Sequence, residues 1–236
     1  MPCLPRIEFS PILHMVDGVK PNTLNADLTE DDAYRYILLV GLTLDRIHKY
    51  GSWPLPPYTE FENYTEYEIV HEFYSILEAS NFSSDIFEAQ ISQFSWREKM
   101  LLQGIRLTEG TIAEFFVFPS VGRLVEIATQ PYNQFLTHIA RARAKHAYRC
   151  QTSYWGIIQG APKRQNAISL KYLEELIENF QWWNYFEHSK HGQVFELRDY
   201  SGHGMRWQLE KSQSLGFLEP VDPYSGRVFF ASKNIL

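Results

Sequence analysis

The sequence predicts a mainly α protein, with a helical N-terminal domain over residues 1–160 and a small α+β domain over 167–236. Three observations carry that reading. Apolar residues recur at three- and four-residue steps through most of the first 150 residues. The composition changes near Gly160 to Asn166, after which a leucine-rich helical stretch gives way to dense aromatics and β-like alternation. At 236 residues the chain is also near the size at which a single core stops growing.

The segment to about Asn25 carries Pro11, Gly18 and Pro21 and is expected to lie extended. Thr29 followed by Glu30, Asp31 and Asp32 is a helix start, because a hydroxyl cap and first-turn carboxylates answer the free amides there. The spacing of Tyr36, Leu39, Val40, Leu44 and Ile47 carries that helix to Tyr50. Trp53 to Pro57 reads as a stiff polyproline-like connector. Helices are expected over 64–80 and 84–107, a short helix over the apolar 111–118, and another over Val121–Ala128. Pro131 should open a helix running to about Tyr148, on which His138, Arg141, Lys145 and Arg149 form one stripe opposite Leu136, Ala140, Ala144 and Ala147. Ser169 is expected to cap the next helix, ahead of the cluster Trp182, Trp183, Tyr185 and Phe186. Aromatics such as Phe94, Trp96, Phe115, Phe116, Trp182 and Trp183 read as core, whereas Trp155, set among cations, is a candidate for base stacking.

Composition narrows the function. No apolar run has the roughly 20 residues that cross a bilayer, and the first nine residues lack the apolar core of a secretory signal. Cys3 and Cys150 lack metal-ligand or redox spacing, so a reducing compartment (cytoplasm, nucleus or nucleoid) is expected and no membrane is. The net charge of −6 hides an asymmetry: no acid falls between Glu126 and Glu174, an interval holding Arg141, Arg143, Lys145, Arg149, Lys163, Arg164 and Lys171. No phosphate loop, dinucleotide glycines, nucleophile elbow or zinc-protease motif is present. His188 and His191 lack a second ligand pair, and the histidines read as solvated, so neither a metal nor a cofactor is expected.

Leu209 to Phe230, with Gly216 as a left-handed helix cap, Phe217 and Leu218 as core plugs and Pro223-Tyr-Ser-Gly226 as a hairpin turn, resembles the second half of a winged helix-turn-helix domain. The resemblance implies a recognition helix ending at Gly216. Arg206, Gln208, Lys211, Ser212 and Gln213 would then lie on its groove-facing side and Arg227 on the wing. Separately, Arg141-Ala-Arg-Ala-Lys-His146 is similar to the Arg-x4-His motif of the HEPN ribonucleases, which implies Arg141 as phosphate stabiliser and His146 in proton transfer. On an ideal helix these two side chains point about 140° apart.

The leading expectation is therefore a non-catalytic nucleic-acid-binding protein that takes DNA in preference to RNA. Its phosphate contacts would be Arg141, Arg143, Lys145, Arg149, Lys163 and Arg164, joined by Arg206, Gln208, Lys211 and Arg227 of the C-terminal domain. Two alternatives stand beside it. One is a metal-independent HEPN-like ribonuclease acting as a homodimer through Arg141 and His146; the other is a protein–protein adaptor, or homodimer, built on the acidic N-terminal helices.

Overall fold

A computed structural model describes residues 4–21, 28–51, 68–108, 110–112, 116–149 and 154–220. Among the described residues the fold is mainly helical, with one small antiparallel sheet in the C-terminal region. It divides into two compact units that meet in sequence between Phe118 and Pro119. No helix among the described residues is long and apolar enough to cross a membrane.

The first unit is helical: α1 (Ser10–Gly18), α2 (Glu30–Tyr50), α3 (Glu68–Ala79), α4 (Ser84–Ile91) and α5 (Trp96–Leu102). Helix α2 is its axis. The Thr29 hydroxyl accepts from the amide of Asp32 at 3.2 Å, the helix stops at Gly51 with φ of +73°, and every residue from Leu39 to Ile47 is buried. The expected extended start is instead α1, because Pro11 falls in the first turn, where its missing N–H is not needed. Helix α1 approaches α2 at Gly41, where an added Cβ would meet Val16 Cγ2 at 2.6 Å. The single helix expected over 84–107 is two, since Ser95 and Glu98 form a reciprocal capping box that starts α5 afresh. The helix expected over 111–118 falls partly outside the described residues, and Phe116–Phe118 are not helical.

The second unit places α6 (Val121–Ala128), α7 (His138–Arg149) and α8 (Pro162–Asn179) beside a four-stranded meander. Its strands are β1 (Phe180–His188), β2 (Gly192–Asp199), β3 (Gly204–Gln208) and β4 (Gln213–Leu218), each antiparallel to the next. The composition change at residues 160–166 marks the start of α8 within this unit. Pro162 opens α8, and Ser169 sits well inside it with its hydroxyl bonded to the carbonyl of Gln165 at 2.8 Å. Helix α7 starts seven residues later than Pro131, after a structured loop.

Where a recognition helix was expected, residues 204–218 form β3, a turn and β4. The reason lies in the pattern. Met205, Trp207 and Phe217 alternate into the core, and the Trp207 indole donates to the carbonyl of Leu124 in α6 at 3.1 Å. Gly216, with φ of +110°, ends no helix; it sits beside a bulge in β4, where a Cβ would stand 3.3 Å from that of Ala142 in α7. The hairpin turn at 223–226 and Arg227 lie outside the described residues.

Candidate functional site

At one end of the sheet, α7, the turn at 154–157, the β2–β3 turn and the end of β4 bring polar side chains together. The centre is Glu219, whose side chain is buried. Its Oε1 lies 2.7 Å from Nδ1 of His146 and accepts the indole N–H of Trp155. Its backbone carbonyl accepts from Arg198 Nη1 at 2.8 Å, which fixes the chain just past β4. A carboxylate on Nδ1 holds a histidine in the tautomer whose Nε2 is a free base. His146 keeps 17% of its side chain exposed, and its Nε2 has no partner among the described residues.

Behind this pair lies a second layer. The Ser201 hydroxyl donates to Asp199 Oδ1 at 2.6 Å, so with its one hydrogen spent it accepts from Nδ1–H of His203, also at 2.6 Å. That leaves His203 Nε2 facing Glu219 Oε2 at 3.5 Å. Tyr154 stacks on His203 with ring centres 3.4 Å apart and donates to Asp199 Oδ2 at 2.8 Å. Burial, then the Asp199 carboxylate, pushes the Tyr154 hydroxyl far above the usual phenol range, so it stays protonated.

A separate charge network crosses the sheet. Glu196 on β2 binds both Arg198 and, from β3, Arg206. Burial alone would raise the Glu196 carboxyl, but the two guanidinium groups outweigh it and hold the pKa at about 2. Arg198 lies over Trp182 and Arg206 over Phe186, at 5.7 and 5.3 Å. Gly204 faces Arg198 across the ladder, and a Cβ there would lie 2.7 Å from Arg198 Cγ.

These positions sort the residues singled out from sequence. Arg141, Lys145 and Arg149 are exposed on α7, and Lys163 and Arg164 are exposed in the first turn of α8. Arg143 is buried: its Nε and Nη2 donate to the carbonyls of Trp155 and Ile157 at 3.0 and 3.2 Å, so it shapes the turn rather than facing a phosphate. Trp155 is 1% exposed and cannot stack a base. Arg206 is held by Glu196, Gln208 is buried and donates to the carbonyl of His191, and Lys211 is exposed in the β3–β4 turn. Arg141 and His146 are not brought together; Arg141 lies over Tyr132 at 5.9 Å while His146 turns to Glu219. His203, read as solvated, is buried.

Sequence reasoning missed Glu219, His203, Asp199 and Tyr154, because the groups that meet there come from a helix, two turns and a strand end far apart in sequence. Among the described residues, no three His, Cys, Asp or Glu side chains are placed to hold a metal ion.

Residues 125–219 match the family model described as the CdiA C-terminal tRNase toxin domain, over less than half of the chain. No curated protein and no solved structure gives a significant match. The family match overturns both resemblances drawn from sequence, since it is to a nuclease toxin family and not to a winged helix or to HEPN. It likewise overturns the expectation of a non-catalytic DNA binder and the preference for DNA over RNA. The matched stretch runs from α6 to Glu219 and so takes in the whole histidine–carboxylate cluster.

Proposed function

We propose that the second unit is a ribonuclease toxin domain that cleaves tRNA, with His146 as its general base. The observation that carries the reading is the pair formed by Glu219 and His146 at the end of a cationic helix. Glu219 holds the Nδ1 proton, and Nε2 takes the proton of a ribose 2′-hydroxyl. The 2′-oxygen attacks the adjacent phosphorus, the bond to the 5′-oxygen breaks, and that oxygen takes a proton from solvent, leaving a 2′,3′-cyclic phosphate. On the helix, His146 lies about 60° from Arg149 and about 100° from Lys145. We assign both cations to the phosphate whose charge rises in the transition state. The family match, which encloses these residues, supports tRNA as the substrate.

The test uses the whole chain with purified tRNA and scores cleavage and the chemistry of the new ends. Wild type should yield cyclic-phosphate ends, in the presence of a chelator as well as without it. His146→Ala should lose about 10²- to 10⁴-fold in rate with the fold intact. A His146→Ala protein that cleaves at the wild-type rate overturns the assignment.

A further inference from the structure

The loop between α6 and α7 holds two aromatic rings out to solvent on a tightly tied backbone. Tyr132 is 49% exposed and Phe135 60%. Pro131 and Thr137 close the loop as an antiparallel bridge. Inside it, the Tyr132 amide donates to the carbonyl of Leu136 at 2.8 Å, and Asn133 Oδ1 takes the amides of Phe135 and Leu136 at 2.8 Å each. Asn166 of α8 grips the loop from outside, accepting from the Thr137 amide at 3.1 Å and donating to the Phe135 carbonyl at 3.0 Å.

Large rings in water carry a hydration cost, and a loop pinned so as to keep them there has the character of a contact surface. Its neighbours say what it contacts. The Arg141 guanidinium lies 5.9 Å from the centre of the Tyr132 ring, and His138 meets the same ring edge-on at 5.6 Å. Lys145 and Arg149 continue the stripe from Arg141 along α7, and no acid occurs in sequence between Glu126 and Glu174 to oppose them. Rigid aromatics flanked by cations suit a polyanion whose bases are free to stack.

We infer that Tyr132 and Phe135 form a stacking platform for unpaired RNA bases, with Arg141 holding the adjoining phosphate. The domain then engages its RNA at a single-stranded loop or end and not along a stem. This rests on the ribonuclease reading and adds to it the part of the substrate that is recognised.

The test measures binding of the full chain to 2′-O-methyl RNA, which lacks the attacking hydroxyl and stays intact whatever the catalytic residues are. One probe is single-stranded with a central 2-aminopurine; the other is a duplex of equal length. Wild type should bind the single strand and quench its 2-aminopurine. Tyr132→Ala with Phe135→Ala should weaken single-strand binding about tenfold or more and abolish the quench, with duplex binding changed less than about twofold. Tyr132→Phe with Phe135→Trp should restore both signals. A double-alanine protein that binds the single strand as wild type does, or that loses both probes equally, overturns the platform. So does a wild type that binds neither. Platform-dependent binding by a protein that never cleaves unmodified tRNA would instead sink the ribonuclease reading and leave the platform standing.

Discussion

Nδ1 of His146 and Oε1 of Glu219 lie 2.7 Å apart although 73 residues separate them in the chain. If the carboxylate sets the imidazole tautomer, Glu219→Gln keeps the shape and the indole contact but loses the charge. We expect kcat on tRNA to fall about 10²-fold, with less change in KM, because the imidazole is no longer held by an anion in the tautomer that leaves Nε2 as the base. An unchanged kcat would assign Glu219 a packing role only.

The three exposed cations of α7 should set the salt dependence of RNA binding. Each phosphate contact on a single strand contributes a slope of about 0.7 in log Kd against log salt, so replacing Arg141, Lys145 and Arg149 together should flatten the slope by about 2. Anisotropy titrations over a range of salt concentrations read this directly.

Arg143 should behave in the opposite way. Its guanidinium satisfies two carbonyls of the turn that carries Trp155, so Arg143→Met leaves buried acceptors unpaired. Stability measured by urea unfolding should drop by about 2 kcal/mol, while the salt slope for RNA stays that of the wild type.

Glu196 makes the second unit acid-sensitive. Its folded pKa of about 2 lies below the ordinary 4.5, so its contribution is fully present above pH 4.5 and is lost as pH falls toward 2. About 3 kcal/mol should disappear across that window. Glu196→Gln should remove this part of the pH dependence and destabilise the unit at pH 7, because Arg198 is then buried without its carboxylate. Unfolding followed by tryptophan fluorescence as a function of pH checks both.

Gly204→Ala places a methyl group 2.3 Å from the Leu197 carbonyl and against the Arg198 side chain. The strand must shift, and we expect a loss of about 3 kcal/mol. Cleavage should fall along with it, because Arg198 also holds the backbone of Glu219. A thermal melt equal to that of the wild type would show that the ladder accommodates the methyl.

How much was legible in the sequence depended on how local each signal was. Helix α2 could be read to the residue because its cap, its acidic first turn and its apolar period are all local signals. The short helix α6 was equally plain. The β3–β4 region was misread because a stretch with Gly216 and an apolar pair suits a helix end as well as a bulged strand, and the alternation of Met205 and Trp207 identifies a strand only once its neighbours are in place. The basic interval was legible as composition. That Arg143 turns inward while its neighbours face water was not, because the carbonyls that claim it lie 12 and 14 residues on.

The meander pairs only strands adjacent in sequence, whereas the histidine–carboxylate contact closes a long loop over it. Hairpins of this kind form on the microsecond scale, while bringing distant segments together is slower. During refolding, β structure should therefore accumulate before the chain after β4 docks onto α7 and the His146–Glu219 contact forms. On the ribonuclease reading proposed above, a partly folded molecule with a complete sheet but no His146–Glu219 contact should cleave no tRNA, so activity should lag sheet formation in a refolding time course.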